Sequence, residues 1–308
     1  MPTPPVPSSE EICAKLKDLV MNGRTGLQNM YGRTEVELNT NLEAPIRRGE
    51  EMAVKLVKEK GCGYEVALDL TVLTLYDVAI LIDDSSSMVH EEGGKRKETL
   101  IQYIDHITEI YKLANQSGIL AMRFMNRGGG KKDWTGQSRQ YLERHSYGGV
   151  TRIGTELQRK ILKKFAMGNT NQSKPLLVLI VTDGPVEGER KSHLQDVIRN
   201  CVHERAGAGK GFEAVAFQFS RIGDDVGAAQ LLRNLDQDPV IGEYIDVLPV
   251  EFDLEKQMED KWFVLPKILL GAILPNWDAQ DYYDFTRPDG LLPRANDDDC
   301  DSGDYWAD

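Results

Sequence analysis

The 308-residue chain is short of most features that would settle a function at once. No apolar run approaches the ~20 residues that a membrane-crossing helix needs, so no membrane insertion is expected. The start, Met-Pro-Thr-Pro-Pro-Val-Pro-Ser-Ser, lacks the charged and apolar regions of a signal peptide, and a cytoplasmic protein is expected. Only four cysteines occur, Cys13, Cys62, Cys201 and Cys300, and none stands in C-x-x-C spacing, which argues against structural zinc and against a disulfide framework. Free thiols suit a reducing compartment. Positive charge is also scarce: the net charge of −12 disfavours nonspecific attraction to nucleic acid or to an anionic membrane.

Catalytic signatures are missing as well. There is no G-x-S-x-G elbow and no H-E-x-x-H helix, and Asp83-Asp84-Ser85 lacks the D-x-D spacing of aspartyl phosphotransferases. Gly207-Ala208-Gly209-Lys210-Gly211 has neither the leading glycine nor the closing hydroxyl residue of a phosphate-binding loop. His90, His106, His145, His193 and His203 show no pairing in sequence that would mark a general base, so they read as ordinary surface or helix histidines and no enzyme is expected. What remains is an ordinary globular composition, 41% hydrophobic and 28% charged, in a chain long enough for one large domain with extensions.

The stretch from Tyr76 through Met88 organises the rest. Residues 78–82 form a continuous run of β-branched and aliphatic side chains, the pattern of a strand buried on both faces of a mostly parallel sheet. The run ends in Asp83-Asp84-Ser85-Ser86-Ser87. Asp83, Ser85 and Ser87 alternate with Asp84 and Ser86, so one carboxylate and two hydroxyls turn together toward a point beyond the strand's carboxyl end, where open α/β sheets bind ligands. Three hard oxygens there suit a hard cation such as Mg²⁺. The same serines equally suit capping of the following helix, and this stretch alone leaves both readings open.

Two later stretches bear on that choice. Tyr147-Gly148-Gly149-Val150-Thr151-Arg152-Ile153-Gly154-Thr155 sets a threonine between glycines ahead of an amphipathic run, and a second buried-strand pattern at residues 178–181 runs into Thr182-Asp183-Gly184. The trio D-x-S-x-S, G-x-T-x-x-G and strand-T-D-G, in that order, resembles the von Willebrand factor type A domain with its metal-ion-dependent adhesion site. The resemblance covers roughly residues 76–275. It implies Asp83, Ser85, Ser87, Thr151 and Asp183 as metal ligands or water-holding groups, with Ser85 and Ser87 direct, Thr151 direct or through water, and both aspartates often through waters. Ser86 stands where the family commonly has Gly. Of the doubled aspartates, Asp83 is the one with Ser at both following alternate positions.

The implied function is recognition: a Mg²⁺ ion (or Mn²⁺ or Ca²⁺) short of anionic ligands takes a Glu or Asp from a protein partner. Two alternatives stay open, a hydrolase or phosphotransferase using the ion as a Lewis acid, and a scaffold with a purely structural metal. The runs Lys95-Arg96-Lys97 and Arg127 with Lys131-Lys132 follow the first and second parallel strands, which predicts a basic rim around the metal for an acidic partner.

The rest of the chain alternates strand and helix patterns, predicting an α/β fold: a doubly wound, mostly parallel sheet flanked by helices, with a helical amino-terminal extension. Residues 1–75 read as a disordered start, proline-rich through residue 7, followed by helices near 9–23 and 43–60. Residues 76–275 form the main domain. Within it, 139–145 is expected as an edge strand, 244–250 as the last strand and 261–274 as a closing helix. Residues 276–308 read as an aromatic, then acidic, tail.

Overall fold

The structure is a computed structural model and describes residues 4–248 and 254–279. Six strands form one sheet: β1 (Asp77–Ile82), β2 (Ile119–Phe124), β3 (Lys131–Trp134), β4 (Leu176–Thr182), β5 (Val215–Arg221) and β6 (Ile245–Val247). Their order is β3-β2-β1-β4-β5-β6, with β3 alone antiparallel to its neighbour. Ile82 at the end of β1 lies opposite Phe124 of β2 on one side and Val181 of β4 on the other. The chain leaves β1 toward β2 and later returns to β1's other side as β4, so the strand order reverses between β1 and β4. Loops diverge at such a switch point and leave a crevice at the carboxyl ends.

Helices cover both faces. The longer ones, in chain order, are α1 (Ser9–Asp18), α2 (Glu35–Lys60), α3 (Tyr64–Leu70), α4 (Lys95–Ala114), α5 (Ser138–Glu143), α6 (Ile153–Glu156 continued by Leu157–Leu162 and Lys163–Phe165), α7 (His193–Gly207), α8 (Val226–Asp236) and α9 (Lys261–Leu270). The two-residue period of a strand sorts its side chains onto opposite faces. Val78, Ile80 and Ile82 join a core with α1, α2, α4 and α9, whereas Ala79 and Leu81 join a second core with α6, α7 and α8. The extension is therefore continuous with the domain: Ile12, Leu16, Leu42, Met52 and Leu56 are fully buried in the same core as β1. Gly49 makes room for the crossing of α1 over α2, since a Cβ there would meet Ile12 Cγ2 at 2.9 Å. No helix among the described residues is long and apolar enough to cross a membrane.

Several sequence expectations need correction. Residues 139–145 are not an edge strand; they lie largely in α5, and the edge strand is β3. The cause is the turn before it: Gly129 and Gly130 adopt φ of 104° and 94°, which folds the chain straight back so that Lys131 pairs with Met122. Helix α2 begins eight residues earlier than the composition suggested, at a capping box in which Thr34 Oγ1 accepts from Glu37 N and the Glu37 carboxylate accepts from Thr34 N. Pro45 inside α2 hides this in the sequence. Val6 packs against the core and Pro7 is buried, so the expected disorder does not extend through residue 7. The last strand is shorter than expected, and α9 ends at Leu270. The aromatic and acidic tail beyond residue 279 lies outside the described residues.

Candidate metal centre at the carboxyl end of the sheet

The crevice between β1 and β4 is lined by the loop after each strand and by the loop that precedes α6. Asp83 leaves β1 fully buried and turns back on its own loop: Oδ1 accepts from Ser85 N at 2.9 Å. Its Oδ2 accepts from Thr182 Oγ1 at 2.8 Å and from Thr151 Oγ1 at 3.1 Å. Ser85 Oγ lies 2.9 Å from Ser87 Oγ and 3.2 Å from Asp183 Oδ1. Asp83, Ser85, Ser87, Thr151 and Asp183 thus converge in one cluster, buried except for the half-exposed Ser87, which marks the solvent side. Thr182, not singled out in the sequence, is the additional member; its hydroxyl orients Asp83, and the T-D-G signal contained it.

The donor chemistry suits a hard cation. No group of three or more His, Cys, Asp or Glu placed to hold a metal occurs among the described residues. Two carboxylates and several hydroxyls are the oxygen set that Mg²⁺ accepts, and they contain none of the nitrogen or sulfur donors that zinc prefers. Burial, reinforced by the charge of Asp183, pushes the Asp83 carboxyl up to about 6, and the hydrogen bonds it accepts only partly offset this. Two carboxylates held this close out of water are stabilised by a cation.

One cation is already built in. Arg96, at the start of α4, was expected on a basic rim, but it is buried: its guanidinium donates to Asp183 Oδ2 at 2.9 Å and pairs with Glu91 and Glu92 at 2.8 Å each. Burial works against its charge, and the Glu92 and Asp183 carboxylates outweigh that and hold its pKa above the ordinary value. Gly223, with φ of 75°, makes space for it, since a Cβ there would lie 2.4 Å from Arg96 Nε. The acidic residues just ahead of α4 draw Arg96 inward, and the sequence pattern of three consecutive cations concealed that.

The other rim residues do not gather either. Lys95 and Arg127 are exposed and Lys97 is half-buried, in the loops near the carboxyl ends. Lys131 and Lys132 are exposed on the lateral edge strand β3, where their ammonium groups lie 5.4 Å and 5.9 Å from the Tyr141 and Phe165 ring centroids. The turn at Gly129 and Gly130 removes them from the loops around the cluster.

Asp84, next in sequence to Asp83, faces the other way. Its carboxylate accepts from Asn126 N at 2.6 Å and Arg127 N at 3.0 Å, and lies 2.8 Å from His145 Nε2. His145 stacks on Phe124 with ring centroids 3.5 Å apart. Burial opposes the charge on Asp84, but the imidazole and the two amides hold its carboxyl below the ordinary range. The expectation that no histidine is paired is corrected here. The knot reaches the Thr151 loop: Gly148 N donates to Asp84 O at 2.7 Å and Val150 N to Asn126 Oδ1 at 3.0 Å. A Cβ on Gly149, whose φ is 114°, would lie 2.3 Å from Asn126 Oδ1, so this close approach needs glycine. From the β4 side, the Glu189 carboxylate accepts from Gly154 N and Thr155 N at 2.8 and 2.9 Å, capping α6 behind Thr151.

No family model matches the chain, and no curated protein matches it. Among solved structures, it is similar to the von Willebrand factor type A protein from Catenulispora acidiphila, with a TM-score of 0.40 and 17% identity over 63% of this chain and 43% of that one. It is also similar to the ArnB paralog VWA2 from Sulfolobus acidocaldarius, with a TM-score of 0.33 and 12% identity over 64% of this chain and 44% of that one. The chain spans less than half the length of either structure. Its fold class rests on its own strand order and parallel registers.

Proposed function

We propose that the chain is a divalent-metal-dependent protein-interaction module of the von Willebrand type A kind, which binds a Glu or Asp side chain of a partner and performs no catalysis. The convergence of Asp83 and Asp183 on the hydroxyls of Ser85, Ser87, Thr151 and Thr182 at the switch point carries this reading. Ser85, Ser87, Thr151, Asp83 and Asp183 would hold the ion, directly or through water. Bound there, Mg²⁺, Mn²⁺ or Ca²⁺ supplies a positive centre with few anionic ligands, which an incoming carboxylate completes.

The residues of the chain do the rest. Thr182 and Thr151 fix the orientation of Asp83, and Arg96 takes one oxygen of Asp183, which limits the anionic charge that the protein itself can offer a cation. Ser87 opens the cluster to solvent, and the exposed Lys95 and Arg127 favour the approach of an acidic segment. The free Cys13, Cys62 and Cys201 are consistent with a cytoplasmic setting.

Calorimetric titration with Mg²⁺, together with pull-down from source extract with and without chelator, tests the proposal. Saturable Mg²⁺ binding that Ser85→Ala weakens in a folded variant, and a partner released by chelator, would support it. Turnover of generic phosphoesters dependent on Mg²⁺ would replace it with the Lewis-acid reading. Partner capture indifferent to chelator would leave the ion a structural role only.

A further inference from the structure

At the opposite pole, where the strands begin, a groove of about 610 Å³ runs between the helical extension and the main domain. That volume lies within the range of small-molecule sites, which favour such junctions. A strand the length of β1 spans about 20 Å, so the groove stands well apart from the Asp83 cluster and its use is independent of the metal reading.

The lining is sorted by chemistry. Arg47, Arg48 and Lys174 bring three cations to it on an acidic protein, and Met30, Pro45 and Ala114 contribute apolar surface. Glu51 is the one carboxylate in the lining, and it is engaged with Arg48 Nη1 at 2.6 Å. Asp77, at the start of β1, is close enough to feel the Lys174 charge but does not line the groove. Arg48 Nη2 donates to Lys112 O at 2.9 Å, which holds the guanidinium in place, yet its Nε is buried with no hydrogen-bond partner. Arg47 is exposed and has no partner among the described residues. Lys174 is held by a bond to Thr74 O at 3.1 Å and retains further N–H donors. Arg48 and Lys174 are therefore held in place, while Arg47 stays free to meet an incoming anion.

We propose that this groove binds a small organic phosphate, its anionic head on Arg47, Arg48 and Lys174 and its compact apolar body against Met30, Pro45 and Ala114. The apolar half of the lining distinguishes this from a site for a bare inorganic anion, and the three cations distinguish it from a site for a neutral apolar molecule.

Calorimetric titration of the full chain with phenyl phosphate, inorganic phosphate and benzyl alcohol tests the proposal. Phenyl phosphate should bind saturably at one site, more tightly than inorganic phosphate, while benzyl alcohol shows no saturation. Arg47→Met and Lys174→Met should each weaken phenyl phosphate by about tenfold, the loss of one charge-assisted contact, and the double variant should abolish saturation. Binding should also weaken with added salt. Arg47 is exposed and unpaired, so its variant keeps the melting temperature of the parent and reads binding alone. Absence of saturable phenyl phosphate binding, or unchanged affinity in the double variant, overturns the site. Equal affinity for inorganic and phenyl phosphate overturns the assignment of the apolar wall.

Discussion

Asp83 and Asp84 adjoin in the chain and both are buried, yet their surroundings drive their carboxyls in opposite directions. Asp83 shares its space with Asp183 and is pushed up; Asp84 accepts two backbone amides and the imidazole of His145 and is held down. A strand presents successive side chains to opposite sides, so one residue step separates a carboxylate that suits an added cation from one whose needs the protein has already met. The two poles of the sheet repeat the contrast. The carboxyl pole concentrates two carboxylates and four hydroxyls within hydrogen-bonding reach of one another between β1 and β4. The amino pole is covered by the extension, whose apolar side chains continue the core except where the groove lined by Arg47, Arg48 and Lys174 opens.

The largest expected effect tests the amino pole. Leu16→Ala, in the fully buried seam between extension and domain, should destabilise the whole chain by about 2–5 kcal/mol, in one cooperative urea transition. A separate early transition for the extension would show that it folds as an appendage.

At the carboxyl pole, Arg96→Met leaves Asp183 buried without its cation and should cost about 3 kcal/mol. Saturating Mg²⁺ should recover part of the loss. An identical deficit with and without Mg²⁺ would mean that no cation reaches Asp183.

The aspartate contrast itself is tested by pH. The raised Asp83 carboxyl makes a contribution to stability that is fully present below its ordinary 3.8 and lost as pH rises through about 6, on the order of 2–3 kcal/mol. Metal-free wild type should therefore lose that stability between about pH 4 and pH 6, whereas Asp83→Asn should not. Asp84 has the opposite sign: its stabilisation is present above the ordinary 3.8 and lost as pH falls below it.

The smallest effect follows at neutral pH. Asp84→Asn should cost about 1–2 kcal/mol, because the amide replaces a carboxylate that accepts from Asn126 N, Arg127 N and His145. Urea melts of both variants without metal decide. Equal destabilisation by Asp83→Asn and Asp84→Asn would break the comparison.

Much of this was legible in sequence because it is local. The apolar run of β1, the seven buried residues of β4 and the periodicity of α4 announce a parallel sheet wrapped by helices. The alternation of Asp83, Ser85 and Ser87 announces a polar cluster at a strand end. Residues 139–145 were misread because strand and helix patterns are hard to separate in so short a segment, and the preceding glycines had already returned the chain as β3. Arg96 and His145 were misread for another reason. A lysine-arginine run looks solvated until the chain places Asp183 beside its middle member, and a histidine looks unpaired until Asp84, 61 positions earlier, is brought to it.

The sequence by itself determined which segments are strands buried on both faces, and it placed the carboxylates and hydroxyls at their ends, because burial and alternation act over a few residues. Only the tertiary structure decided that Asp84 turns away to His145, that Arg96 is consumed inside the cluster, and that three cations of the extension and domain share a groove at the far pole. Those outcomes depend on contacts between residues distant in the chain, and the free energy of a buried charge is set by the partners the fold brings within hydrogen-bonding distance.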